Sequence, residues 1–144
     1  MCKKVLAMVV ISLFIVTAVT AAERFNDVGE YWATDAIKWA AELGVVEGFP
    51  DGTFRPTQNV KEGEFAAILA RYVTNTDKDK INQRQKGKHW AQPIYDELLR
   101  WALPLNGYTN NTIKDSVITR GDVARVIAAK NGFNLNERQA VYYM

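Results

Sequence analysis

The chain has 144 residues, enough for one domain or two very small ones. Its formal net charge of +2 comes from Lys3 and Lys4 in an apolar amino-terminal segment, so the remainder carries as many basic as acidic residues. That balance excludes broad electrostatic capture of nucleic acid or of a membrane surface and leaves only local sites for an anion.

The segment 1–22 reads as a secretory signal. Lys3 and Lys4 precede an apolar run of about 15 residues, shorter than the roughly 20 needed to span a bilayer. The run gives way to Thr20, Ala21 and Ala22 before the charged Glu23 and Arg24. Small residues before a polar switch suit cleavage after Ala21 or Ala22, which predicts export and no membrane insertion afterwards. Cys2, the single cysteine, leaves with this segment and lacks the small-residue context of a lipidated cysteine. The mature chain therefore has no disulfide, although its compartment permits one. Its stability must come from a core.

Trp32, Ala36, Trp39, Ala40 and Leu43 fall at helical spacing and predict a first helix with these residues on one face, stopped by Gly44. The stretch 46–56, VEGFPDGTFRP, follows. Its Asp-Gly pair predicts a tight reversal with glycine at positive φ, and Pro56 fixes the exit. Phe49 and Phe54 are expected to fold back and close the bottom of a small core. Phe65, Ile68, Leu69, Tyr72 and Val73 predict a second amphipathic helix, with Asn59 three residues ahead of Glu62 as a capping arrangement. The polar, charged segment 74–87 reads as a solvated linker.

The pattern then returns. His89-Trp90-Ala91 matches Tyr31-Trp32-Ala33, and Ile94, Leu98, Trp101 and Ala102 form another apolar helix face. Residues 107–114, GYTNNTIK, lie over 48–55, GFPDGTFR, aromatic for aromatic and threonine for threonine. Val123, Val126 and Ile127 mark a fourth helix. The chain is an internal repeat with a period near 58 residues, the separation of Trp32 and Trp90. The tail 133–144 admits two readings, the start of a third unit or a terminal helix packed on the second.

Catalysis and metal binding find little support. One histidine, His89, and no mature cysteine leave too few ligands for zinc. The acids at Asp51, Asp77 and Asp79 lack the alternating ligands and closing glutamate of a calcium loop. No nucleophile triad or glycine-rich phosphate loop is present, and no cofactor is expected. A glycoside hydrolase needs two acids across a cleft, whereas Glu62 and Glu64, two apart on a helix, point different ways.

Across residues 25–73 the chain resembles an S-layer homology (SLH) motif. The resemblance rests on Phe25-Asn26-Asp27-Val28, Tyr31-Trp32-Ala33, Ala36-Ile37, Gly44-Val45-Val46-Glu47-Gly48, Pro50-Asp51-Gly52-Thr53-Phe54-Arg55-Pro56 and Glu64-Phe65-Ala66. A second, divergent motif over 88–132 keeps His89-Trp90-Ala91, Gly107-Tyr108 and Ile118-Thr119-Arg120-Gly121-Asp122. There Asn110-Asn111 replaces Asp-Gly, and the Phe-x-Asp-Val opening is lost. The resemblance implies a mainly all-α fold of helix-turn-helix repeats packed as a partial pseudo-threefold bundle. The expected organisation is a signal peptide (1–22), motif 1 (23–73), a linker (74–87), motif 2 (88–132) and, on one of the two readings of the tail, the start of a truncated third motif (133–144). It also implies a secreted, cell-surface protein that binds secondary cell-wall polysaccharide non-covalently, through pyruvylated sugars in grooves between motifs. The rivals are a degenerate module that associates with other SLH chains and, last, a small wall hydrolase.

In the family each groove receives an arginine from a Thr-Arg-Ala-Glu signature. Here Thr119 can cap a helix with Asp122 three residues on, and Arg120 projects from the first turn, where backbone N–H groups and the dipole favour an anion. A pyruvate ketal carries one carboxylate, which arginine can hold with two parallel hydrogen bonds. Trp90 and Tyr108 offer flat faces to a sugar ring, and core packing is the other reading of Trp90. Lys61-Glu62-Gly63-Glu64 stands at the same place in motif 1. Glu62 is expected to repel a carboxylate there, leaving Lys61 as a point charge and Arg55, in the turn, as an alternative cation.

Overall fold

A computed structural model of the chain describes residues 25–74 and 86–144. The leader 1–22 and most of the linker, residues 75–85, lie outside the described residues. The described chain is helical: α1 (Thr34–Glu42), α2 (Glu62–Thr74), α3 (Gln92–Leu98), a 3-10 turn (Leu99–Trp101), α4 (Asn111–Lys114), α5 (Arg120–Lys130) and α6 (Glu137–Tyr143). The described residues contain no sheet, only an isolated antiparallel bridge between Lys61 and Val117. No helix among them is long and apolar enough to cross a membrane.

α1 ends as its sequence predicts. Gly44 sits at φ 68° just past the helix. Val45 N–H bonds the Ala40 carbonyl and Gly44 N–H the Ala41 carbonyl, so two orphan carbonyls are satisfied. The turn beyond it is held by two aspartates. Asp51 accepts from the Thr53 amide (3.0 Å) and hydroxyl (2.6 Å), while Gly52 supplies φ 80°. Asp27 accepts from the Phe54 and Arg55 amides, both at 2.7 Å, and so ties the turn to the start of the unit. Phe54 packs on Phe25, with ring centroids 5.2 Å apart. Phe49 instead lies outside under the Arg55 guanidinium, 3.8 Å from its ring centroid.

The core differs from the expected faces. On α1 the buried residues are Ile37 and Ala41, which pack with Phe25 and Val28. Trp32, expected to open this helix, lies two residues before it and is 88% exposed, and Ala36, Trp39 and Leu43 also face outward. The helix carries two apolar stripes, and the segment 25–28, fixed by Asp27, selects the smaller one. On α2 the buried set is Ala66, Ala67, Leu69 and Ala70, with Phe65 and Val73 at the margin and Tyr72 exposed. Alanines allow α3 to approach closely, and Ile94, Tyr95 and Leu98 fill the space with Leu103, Leu105 and Val126. Trp101 is half-exposed and Ala102 exposed, because the chain leaves the α-helix at Leu98.

α6 packs on α5 through Ala124, Ala128 and Ala140, joined by Leu135 and a Phe133–Tyr143 ring contact. It opens with a capping box between Asn136 and Gln139. The segment aligned with the first turn also diverges. Asn110 accepts from the Thr112 amide at 2.9 Å and starts the short α4. Lys114, aligned with the exposed Arg55, is buried, and its Nζ donates to Gln92 Oε1 (2.6 Å) and Asn111 Oδ1 (3.0 Å). Burial lowers its pKa, offset in part by Asp96.

Candidate functional site

The segments leading into α2 and α5 run antiparallel at the Lys61–Val117 bridge. Glu62 N–H donates to the Ser116 carbonyl (2.9 Å) and Ile118 N–H to the Val60 carbonyl (3.0 Å). The two helices thus begin side by side. A groove of about 450 Å³ lies beside this junction, lined by Val60, Phe65, Ile68, Ile118, Thr119, Arg120 and Val123, with Val141 and Met144 from the tail. A second groove of about 330 Å³ is lined by Phe49, Phe54, Arg55, Ile68, Arg71 and Trp90, among others. Gln58, Asn59, Val60 and Ile68 line both grooves, so this segment divides them.

Thr119 caps α5 as its sequence predicts. Its hydroxyl accepts from the Asp122 amide (3.0 Å), and the Asp122 carboxylate takes the Thr119 hydroxyl (2.6 Å) and amide (3.3 Å). Burial pushes the Asp122 carboxyl up, but hydrogen bonds from Thr119 and Asn106 and the charge of Arg125 outweigh it. Asp122 is held below the usual carboxylate range. Arg120 follows the cap and is exposed, and no hydrogen bond or ion pair engages its guanidinium among the described residues.

Residues 24–66 match the family model of the S-layer homology domain. The chain carries an S-layer homology domain. Over 107 residues, 65% of this chain, it is 30% identical to cell surface glycoprotein 1 of Acetivibrio thermocellus, covering 5% of that protein. It is 29% identical over 97 residues to the cellulosome-anchoring protein of the same organism, 62% of this chain and 22% of that one. The amylopullulanase of Thermoanaerobacterium thermosulfurigenes is 35% identical over 107 residues, 72% of this chain and 6% of the enzyme. The chain thus spans no more than 22% of the length of any of these three relatives. No solved structure matches it.

Around the S-layer homology domain the expected site residues separate into four places: two grooves, the core and the bridge. Thr119 and Arg120 lie in the first groove, Trp90 and Arg55 in the second. Trp90 is 40% exposed, so it presents a face while its edge packs near Gly63. Arg55 is held by Asp51 at 2.8 Å and by Thr53 at 3.1 Å. Asp51 is correspondingly acidic, lowered to about 2 by the Thr53 and Arg55 hydrogen bonds. Tyr108 belongs to the core, edge-on to Tyr95 and donating to the Leu103 carbonyl at 2.9 Å. The Lys61 side chain is exposed beside the bridge, and its amide donates to Glu64 Oε2 (2.9 Å). Glu64, not Asn59, is therefore the capping side chain of α2.

Glu62 was expected to face a ligand and repel it. It is buried instead, 3% exposed. Its carboxylate accepts from the Tyr95 hydroxyl (2.8 Å) and from the Gly107 (2.6 Å) and Asn106 (3.3 Å) amides. Burial first, and then the Glu62 carboxylate, push both the Tyr95 and Tyr108 hydroxyls up. A helix-initial glutamate carries no mark in the sequence that distinguishes this fate from a solvated one. Among the described residues no group of three or more His, Cys, Asp or Glu could hold a metal ion.

Proposed function

We propose that this chain is an exported attachment module that binds secondary cell-wall polysaccharide without covalent linkage, with pyruvylated sugars as the recognised units. The observation that carries this reading is Arg120: a guanidinium that no hydrogen bond or ion pair engages among the described residues, at the first turn of an 11-residue helix, beside a largely apolar groove. Backbone N–H groups and the helix dipole favour a carboxylate at that position. Trp90, across the dividing segment, offers the apolar face of a second sugar. Residues 88–132 act in this reading as a divergent second motif, and 1–22 as the signal that delivers the module to the bacterial surface.

Binding rather than catalysis is favoured by what the relatives share. A cell surface glycoprotein, an anchoring protein and an amylopullulanase have different tasks, and the stretch they share with this chain is at most 22% of each. Such a stretch suits location, not chemistry. Co-sedimentation with native walls and with walls lacking pyruvate tests the proposal. Native walls should retain the protein, and pyruvate-free walls or an Arg120→Ala variant should lose at least about tenfold in affinity, the scale of one charge-assisted bidentate contact. Equal retention on both walls removes the carboxylate mechanism. One observation favours a second reading, association with other SLH chains: Trp32, Trp39 and Leu43, in and flanking α1, are all exposed among the described residues. Sedimentation at micromolar concentration separates the two.

A further inference from the structure

Glu62 and Arg120 hold the same place in two helices. Each is the first residue, of α2 and α5 respectively, and the segments leading into those helices pair at the Lys61–Val117 bridge. Their side chains take opposite courses. Arg120 is exposed, whereas Glu62 turns inward, and all three of its donors come from the other unit, 33 to 45 residues along the chain.

The receiving side is shaped around the carboxylate. A Cβ at residue 107 would lie 2.7 Å from the Tyr95 hydroxyl and 2.8 Å from Glu62 Oε1, so only glycine lets the backbone come this close. Asn106 then carries the connection outward. Its Nδ2 donates to Asp122 Oδ1 (2.9 Å), and its Oδ1 accepts from Arg125 Nη2 (2.7 Å). Asp122 closes the capping box with Thr119, and Arg120 lies between these two residues. One continuous path of hydrogen bonds therefore runs from the start of α2 to the start of α5.

We propose that Glu62 is a positioning residue for the Arg120 groove: its carboxylate holds the Asn106 and Gly107 amides, and through the Asn106 side chain it sets the capping box from which Arg120 projects. The effect on glycan binding rests on the reading of Arg120 as the glycan contact, and the positional coupling does not.

Amide NMR spectra and wall co-sedimentation of the mature chain test both parts, using Glu62→Gln, Asn106→Ala, Arg120→Ala and, as a control, Glu42→Gln, an exposed acid at the end of α1. In Glu62→Gln the Gly107 and Asn106 amide protons should move upfield, because a neutral acceptor deshields them less. The Thr119 and Asp122 amides should move with them, while Glu42→Gln leaves all four in place. Asn106→Ala keeps the Glu62 bonds to Tyr95 and Gly107 and cuts the outward link, so beyond the immediate neighbours of the substitution it should shift Thr119 and Asp122, even if Glu62→Gln fails to fold. Either variant should weaken wall binding about tenfold, and neither should weaken Arg120→Ala further. Thr119 and Asp122 amides that stay at their native positions in Asn106→Ala overturn the coupling. Unchanged wall binding in folded Glu62→Gln, where Arg120→Ala has lost it, overturns the effect on the groove. If Arg120→Ala binds like the native chain, the glycan contact is misplaced and the amide shifts decide the coupling by themselves.

Discussion

The packing around α1 makes a sharp test, because the bulkiest apolar residues in and beside it are not its core. Ile37 is 8% exposed and packs with Phe25, Val28 and Ala41, whereas Trp32 is 88% exposed. Ile37→Ala removes three buried carbons, worth about 2.4 kcal/mol at roughly 0.8 kcal/mol each. The residual cavity brings the loss to about 3 kcal/mol. At about 4 °C per kcal/mol for a domain of this size, the unfolding midpoint should fall by about 12 °C. Trp32→Ala deletes far more carbon but little that is buried, so its effect should stay within about 0.5 kcal/mol, or about 2 °C. Thermal unfolding followed by circular dichroism compares the two directly. A Trp32→Ala loss equal to that of Ile37→Ala would mean the tryptophan stripe faces the core and the packing described for α1 is wrong.

Asp51 and Asp122 have depressed folded-state pKa values, Asp51 from 3.8 to about 2, and Asp27 is lowered as well, chiefly by the Phe54 amide. The stability they contribute is present above their unfolded pKa and is lost as the folded pKa is crossed. The melting temperature should therefore drop between about pH 4 and pH 2, and Asp51→Asn should flatten that slope. Thr119→Ala removes the hydroxyl that accepts the Asp122 amide at 3.0 Å. It should cost about 1 kcal/mol in denaturant unfolding and leave helix content nearly unchanged.

Local chemistry was the legible part of this chain. The Asp-Gly reversal, the Gly44 stop and the Thr119–Asp122 box each depend on a few adjacent residues, and each forms as its residues dictate. What failed was the choice between partners. Helical periodicity shows that Trp32, Trp39 and Leu43 share a stripe, but Ile37 and Ala41 make another, and the tie to Asp27 that decides between them spans 27 and 28 residues. Tyr108 was misread for a similar reason. Its match to Phe49 is real at the level of residue type, yet Tyr108 packs on Tyr95 while Phe49 lies under Arg55. Glu62 is the least legible residue, since net charge and helix position predict a solvated acid and the close approach of Gly107 makes room for a buried one.

The packing does not follow the repeat read in the sequence. Among the described residues the largest hydrophobic cluster joins Ala66, Leu69 and Ala70 of the first proposed unit to Ile94, Tyr95, Leu98 and Val126 of the second. The donors to the Glu62 carboxylate among the described residues, Tyr95, Asn106 and Gly107, likewise come from the second. Separating the units would expose the alanine face of α2 to water and replace the three hydrogen bonds of the Glu62 carboxylate by hydration. By contrast α1 and the turn rest on a cluster of their own, Phe25, Val28, Ile37 and Ala41. The natural seam therefore lies within the first repeat, between its two helices, and α2 belongs energetically to the half that carries Arg120. The groove beside Arg120 is built across that junction, with Val60, Phe65 and Ile68 contributed from one side and Ile118, Thr119 and Val123 from the other.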